Sequence, residues 1–176
     1  MTARSILLFL TVALVPAVLA AEPDAGARGP AISTSLKDRQ ARVVGTLALA
    51  ETPHGLLVRG TLDGLPPGPH ALHFHEVGKC EPPFTSAGGH FNPGQKSHGV
   101  LSPNGPHAGD LPNLVVPASG KLDFELFVPG LTLNGGPTAV LDADGSAVVI
   151  HAKTDDHQSQ PAGDSGDRIA CAVVAR

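Results

Sequence analysis

Apolar and polar positions alternate along most of this chain in short runs of period two, the pattern of half-buried β-strands. The clearest run is "KLDFELFV", residues 121–128, with Leu122, Phe124, Leu126 and Val128 on one face. "ARVVGTLALAE" (41–51) and "GLLVRGTLDGL" (55–65) are apolar and β-branched runs joined through the turn signal "TPHG", which predicts a hairpin. "SAVVIHAKT" and "RIACAVVA" add strands further along. No segment carries a helical period and no internal repeat is evident. The pattern predicts an all-β domain, a sandwich or barrel of short antiparallel strands.

Three stretches interrupt that pattern. Residues 77–113 are rich in Gly and Pro, and residues 153–167 are polar with Gly and Pro. Connections this long without strand character are usually functional or disordered, and the histidines in the first favour function. At the start, "MTARSILLFLTVALVPAVLAAE" has one basic residue, Arg4, then an apolar run from Ile6 that closes on small residues. This is the layout of a secretory signal peptide, short and well terminated for a membrane span, so residues 1–20 are expected to be removed, a retained anchor being the alternative. Cleavage is expected after Ala20 or Ala21. Residues 21–35, "AEPDAGARGPAISTS", read as a flexible leader, and residues 36–176 as the folded domain.

Composition narrows the function. Removing the signal leaves 11 Lys+Arg against 16 Asp+Glu, a formal charge of −5. That balance argues against a nucleic-acid partner, and after cleavage nothing predicts a membrane one. With no Trp or Tyr and only six Phe, the core must be aliphatic. Cys80 and Cys171 are the only cysteines; in an oxidising compartment such a pair most simply forms one disulfide, two unrelated buried thiols being the alternative.

The chemistry sits in the histidines, nine in all. In "HALHFHE", His73 and His75 are two residues apart on a strand, so both imidazoles face one side while Leu72 and Phe74 face the core. Alone, such a pair is also explained by exposed strand polarity. The loop after it adds His90, His98, His107 and Asp110. Three imidazoles and a carboxylate suit a closed tetrahedral Zn²⁺ site, whose cross-links would organise a loop too rich in Gly and Pro to build a core. His151, on the apolar strand "AVVIHAK", is a further candidate ligand, though a lone histidine there is more often a core residue.

Taken together, "HALHFHE", "TSAGGHFNP", "HAGDLPN" and "GDRIACAVV" resemble the copper–zinc superoxide dismutases, especially the bacterial exported branch, over roughly residues 40–176. The resemblance implies an eight-stranded antiparallel Greek-key barrel or sandwich with two long functional loops. It implies copper on His73, His75, His90 and His151, and zinc on His90, His98, His107 and Asp110, with His90 bridging the two. It also implies catalytic roles for Arg168 and His90, and a carboxylate, Asp155, that links histidines of the two metal sites. Cys80 and Cys171 would form the family disulfide. The implied reaction converts superoxide to dioxygen and hydrogen peroxide in the periplasm. The resemblance permits a monomer or a homodimer.

The remaining histidines read as structural or exposed: His70 as a core hydrogen-bonding residue, His54 in the turn, and His157 at the surface, with an approach to the site as its alternative. The chain departs from the family pattern at Gln158, where bacterial relatives usually carry lysine, at Asp164, where asparagine is more usual, and at Ala172, commonly glycine. The first two weaken the local positive field that would attract an anion. A metal-buffering protein could use the same ligands without turnover, but it would need neither Asp155 nor Arg168. A purely structural β-domain would need none of the six matched histidines.

Overall fold

The structure, a computed structural model, describes residues 31–176. The expected signal peptide and residues 21–30 of the leader lie outside the described residues. Nine strands follow in order: β1 (Ala31–Asp38), β2 (Val43–Thr52), β3 (Gly55–Asp63), β4 (Gly68–His70), β5 (Leu72–His75), β6 (Leu114–Val116), β7 (Lys121–Pro129), β8 (Ser146–His151) and β9 (Arg168–Val174). Among the described residues the helical content is a single 3-10 turn, Thr85–Ala87, and no helix is long and apolar enough to cross a membrane.

Seven strands form one antiparallel sheet in the order β5-β8-β9-β1-β2-β3-β7, and β4 pairs with β6. β4 and β5 are one extended run interrupted at Ala71, whose N–H donates to Lys153 O and whose carbonyl accepts from His151 N–H. Counted that way there are eight strands, and β6, lying beside β7, curls the sheet toward closure. The connection from β3 to β4 passes over β7 and β6 in space, which is the Greek-key order. The expected hairpin is present, β2 and β3 pairing from Gly45↔Leu62 to Thr52↔Gly55. One boundary differs from the sequence expectation. The leader ends sooner, because β1 begins at Ala31 and pairs with β2 from Ala31↔Ala50. "AISTS" carries too little apolar alternation to announce a strand, and its order comes from the β2 edge it completes.

Alternation decides which face each side chain occupies. On β5, Leu72 and Phe74 enter the main core with Leu49, Leu56, Val148 and Ile150. β8 is buried at all six positions because both of its faces are covered. Val148 and Ile150 face the main core, while Ala147 and Val149 join a smaller cluster with Phe84, Ala87 and Cys171. That cluster is where the first long loop lies on the barrel wall. Burying Phe84 there contributes on the order of 1.5–3 kcal/mol. The pairing His73↔Val149 and His75↔Ala147 puts both histidines on this loop-covered face, and His151, two residues beyond Val149, follows the same parity.

Cys80 and Cys171 form a disulfide across a sequence separation of 91, tying the loop to β9. Closing so long a loop restricts the unfolded chain, so reduction is expected to lower stability by about 2–5 kcal/mol. Native protein should show no titratable thiol, and denaturant midpoints with and without reductant measure the loss. An unchanged midpoint would mean that the clusters alone hold the loop.

Candidate metal centre

Six histidines and two aspartates converge where the first loop crosses β5 and β8. His73 and His75 come from β5, His151 from the end of β8, and His90, His98, His107 and Asp110 from the loop. Asp155 comes from the second loop. All six histidines and Asp155 are buried. Two donor sets emerge, His73, His75, His90 and His151 in one and His90, His98, His107 and Asp110 in the other. The seven residues expected as ligands all fall in one or other of these sets, and His90 belongs to both.

Hydrogen bonds fix which nitrogen each ring presents. His75 Nδ1 donates to Gly88 O at 3.1 Å, which leaves Nε2 with a lone pair, 3.4 Å from His151 Nε2. His151 Nδ1 lies 3.3 Å from Gly166 O and 3.1 Å from Ser165 Oγ. His73 Nε2 donates to Asp155 Oδ2 at 2.8 Å, turning Nδ1 toward the set. His90 Nδ1 lies 2.8 Å from Asp110 Oδ1, which turns Nε2 the other way. His73 Nδ1 and His90 Nε2 are buried and have no hydrogen-bond partner. Buried polar nitrogens are rarely left so, and a cation between them would satisfy both.

The second set passes a geometric test. A tetrahedral ion with bonds of about 2.0–2.1 Å needs donor atoms roughly 3.3 Å apart. Asp110 Oδ1 lies 2.8, 3.1 and 3.2 Å from Nδ1 of His90, His98 and His107, and the His90 and His107 Nδ1 atoms are 3.4 Å apart. A third grouping, His73, His98 and Asp155, is a carboxylate bridge: Asp155 Oδ2 accepts from His73 and Oδ1 from His98 Nε2 at 2.9 Å.

Two glycines make these approaches possible. Gly163 has φ +67°, and a Cβ there would sit 1.8 Å from Asp155 Oδ1. Gly88 has φ +75°, and its Cβ would meet Glu76 Oε1 at 2.7 Å. The Gly88 carbonyl accepts from both His75 and Arg168, so any shift there moves two side chains of the site.

Arg168, half-buried at the start of β9, is held by Nη donations to Phe84 O at 2.6 Å and Gly88 O at 2.7 Å. Its own carbonyl accepts from Arg39 Nε. With His90 and His151 it lines an open cleft of about 520 Å³ whose far wall is Ser159–Ala162 and Asp164–Gly166. His98, His107 and Asp110 do not line that cleft. Asp164 does, with Lys153 Nζ 3.8 Å from its carboxylate, whereas Gln158 lies outside the lining.

The other histidines divide as their positions suggest. His70 is buried with both ring nitrogens 2.8 Å from carbonyls, of His151 and Pro66, and His54 is exposed. His157 is half-exposed rather than free at the surface. Its ring leans on Asn113 and its N–H donates to Asp155 Oδ1. Sequence reasoning gave no role to Asn113, Gln160, Ser165 or Gly88; single polar residues and one glycine in loops leave no periodic signal.

The sequence profile described as copper/zinc superoxide dismutase (SODC) matches residues 43–174. The chain belongs to that family. A Cu-Zn superoxide dismutase of Caulobacter vibrioides is 46% identical over 134 residues, covering 74% of this chain and 77% of that protein. One from Deinococcus radiodurans is 39% identical, with 94% and 97% covered. A double mutant of a SOD-like protein from Bacillus subtilis superposes with TM-score 0.80 at 42% identity, covering 82% of this chain and 97% of that one. As a superoxide dismutase the chain is an oxidoreductase whose substrate is superoxide, and the family's copper and zinc match two donor sets able to hold metal.

Electrostatics fits metal ligation. Burial drives His73 down to about 4, His75 to about 2 and His151 to about 3, keeping their lone pairs free at neutral pH. Burial also lowers His98, but hydrogen bonds to Asp110 and Asp155 outweigh it and raise that ring to about 9. Burial would raise both aspartates, yet bonds from His90 and His98 to Asp110, and from His73 and His98 to Asp155, hold them far below the usual carboxylate range. Folded values below unfolded ones mean that the unfolded chain takes up protons first, so the three buried imidazoles cost stability as pH falls below about 6.5. The raised His98 has the opposite sign; its contribution is complete below about 6.5 and is lost as pH rises through about 9. Metal-free protein should therefore be most stable near pH 6.5–7. Denaturant midpoints from pH 5 to 9 check this, and a flat profile from 7 to 5 would contradict the neutral imidazoles.

Proposed function

We propose that His73 Nδ1, His75 Nε2, His90 Nε2 and His151 Nε2 hold the copper, and that Nδ1 of His90, His98 and His107 with Asp110 Oδ1 hold the zinc. The observation that carries this reading is His90, which directs one ring nitrogen into each donor set. Donor chemistry supports the order. A closed set with a carboxylate suits Zn²⁺, and four imidazole nitrogens suit copper. The cleft supports it too: of the two donors that line it, His90 belongs to both sets and His151 to the copper set alone.

Copper held by the first set would supply one-electron chemistry between Cu(II) and Cu(I), enough to oxidise one superoxide and reduce another, and zinc would supply a charge of fixed oxidation state. The chain's residues manage the anion and the protons. Arg168, its guanidinium fixed by two carbonyls and flanking the cleft, draws the anion to the open side of the copper set. In the half-cycle that releases dioxygen, the Nε2 lone pair of His90 would pass from the metal to a proton from solvent, and His90 would give that proton to the second superoxide as peroxide forms. Solvent supplies the second proton. Asp155 keeps His73 Nε2 protonated, and with it the lone pair of Nδ1 aimed at copper.

Residues 1–20 serve as an export signal on this reading, and the mature enzyme works in the periplasm. A disulfide and bacterial relatives support that compartment.

His75→Ala should abolish superoxide consumption while one zinc per chain remains. His107→Ala should release zinc and leave copper bound, and activity should become more pH-sensitive as His90 loses its second anchor. Metal content and activity on the same samples test both, and zinc loss from the first variant with copper retained would reverse the assignment.

Steering follows from the cleft wall. An anion approaching a formally negative protein depends on local positive focus, of which superoxide dismutases are a known case. Asp164 faces the cleft and engages Lys153, so Asp164→Asn should raise the bimolecular rate at low salt. The gain should fade as the Debye length falls from about 30 Å at 0.01 M to about 10 Å at 0.1 M. Gln158→Lys, outside the lining, should do less, and Arg168→Glu should slow the reaction most at low salt. Stopped-flow rates across a salt series measure all three; an unchanged Asp164→Asn would remove that carboxylate from the anion's path.

A further inference from the structure

The two long loops have almost no regular structure of their own, yet each grips the backbone of the other through one amide side chain. Gln160, in the second loop, accepts from the His98 N–H at 2.8 Å and donates to the His98 carbonyl at 2.9 Å. Asn113, at the end of the first loop, accepts from the Asp155 N–H at 2.8 Å and donates to the Asp155 carbonyl at 2.9 Å. A primary amide is the side chain that carries donor and acceptor in one plane, so it satisfies a residue's N–H and C=O as a neighbouring strand would. The clamped residues are not arbitrary. His98 and Asp155 are joined to each other, Nε2 to Oδ1, at 2.9 Å.

We propose that Gln160 is a positioning residue of the zinc set, paired with Asn113 in a crossed clamp that fixes His98 and Asp155. The proposal rests on the reading that His90, His98, His107 and Asp110 hold zinc. Gln160 acts through His98. Its Nε2 also donates to Gln158 O at 2.9 Å and lies 3.3 Å from Ser102 Oγ, and Ser102 Oγ itself donates to the His98 carbonyl. The peptide groups on both sides of His98 are thereby tied to the second loop, and its Nδ1 is held 3.1 Å from Asp110 Oδ1. With the clamp gone, the ring keeps its Asp155 contact while its backbone drifts. The donor spacing a tetrahedral ion requires is then no longer imposed. Asn113 does the same for Asp155 from the opposite side, and through Asp155 reaches His73.

The test uses the full enzyme loaded with copper and zinc. A chelator that changes colour on taking zinc reads the release rate at pH 7. Co²⁺ in place of zinc reports the ligand geometry through its visible absorption. Gln160→Met keeps the length and removes both hydrogen bonds. It is expected to speed zinc release about tenfold or more, the usual cost of losing a partner that orients a ligand. It should also shift the cobalt spectrum, with copper content unchanged. Gln160→Glu keeps the acceptor for the His98 N–H and loses the donor, and should fall between wild type and Gln160→Met. It also serves as the reporter if Gln160→Met fails to fold. Asn113→Leu should act in the same direction. Release within twofold of wild type, with an identical cobalt spectrum for both Gln160 variants, overturns the clamp while leaving the zinc reading intact. A wild-type protein that takes up no zinc or cobalt overturns the zinc reading and the clamp with it.

Discussion

Among the described residues one edge of β5 has no strand beside it, and the first long loop supplies the hydrogen bonds. Phe74 N–H donates to Gly109 O at 2.9 Å, Phe91 N–H to Phe74 O at 2.8 Å, and Glu76 N–H to Gly89 O at 3.0 Å. A bare edge would template aggregation; here it draws the loop into register instead. That register sets His90 opposite His75 and Asp110 opposite His73 as isolated bridges. The proposed metal centre is therefore a by-product of edge pairing. The loop needs the edge for its backbone, and the edge needs the loop for its histidines.

Holding six imidazoles in one buried place requires that few be charged. Burial suppresses protonation of His73, His75 and His151, while the charge on His98 is balanced by Asp110 and Asp155. The two carboxylates divide the work. Asp110 is a donor in the cluster, and Asp155 orients rings from both donor sets at once. Asp155 reaches His73 and His98 together, so one side chain joins a ring of each set.

The cleft shows a different division. Its end at His90, His151 and Arg168 is held by β8, β9 and the carbonyls of Phe84 and Gly88, so the groups proposed to act there rest on sheet and disulfide-bound loop. Its outer wall is the second loop, where Asp164 and Lys153 offset one another.

Alternation made the strands legible because side-chain period survives in sequence: β2, β3, β7, β8 and β9 stand close to where the pattern put them. The histidine spacing, read with the family motifs, was equally open, since ligand type and interval are properties of the chain. β1 was not read as a strand at all, the folded domain being expected only from Leu36, because "AISTS" is a strand by virtue of its neighbour. Gln160 and Asn113 could not be found at all. An amide that satisfies a backbone 62 or 42 residues away leaves no mark on its own surroundings. Nor could the sequence separate Gln158 from Asp164, one outside the cleft and one on its wall. By itself the sequence determined most of the strands, the types of candidate donor and their order. Only the tertiary structure decided which nitrogen each ring presents, and which polar residue holds which loop, because hydrogen bonds across folded loops depend on distance in space.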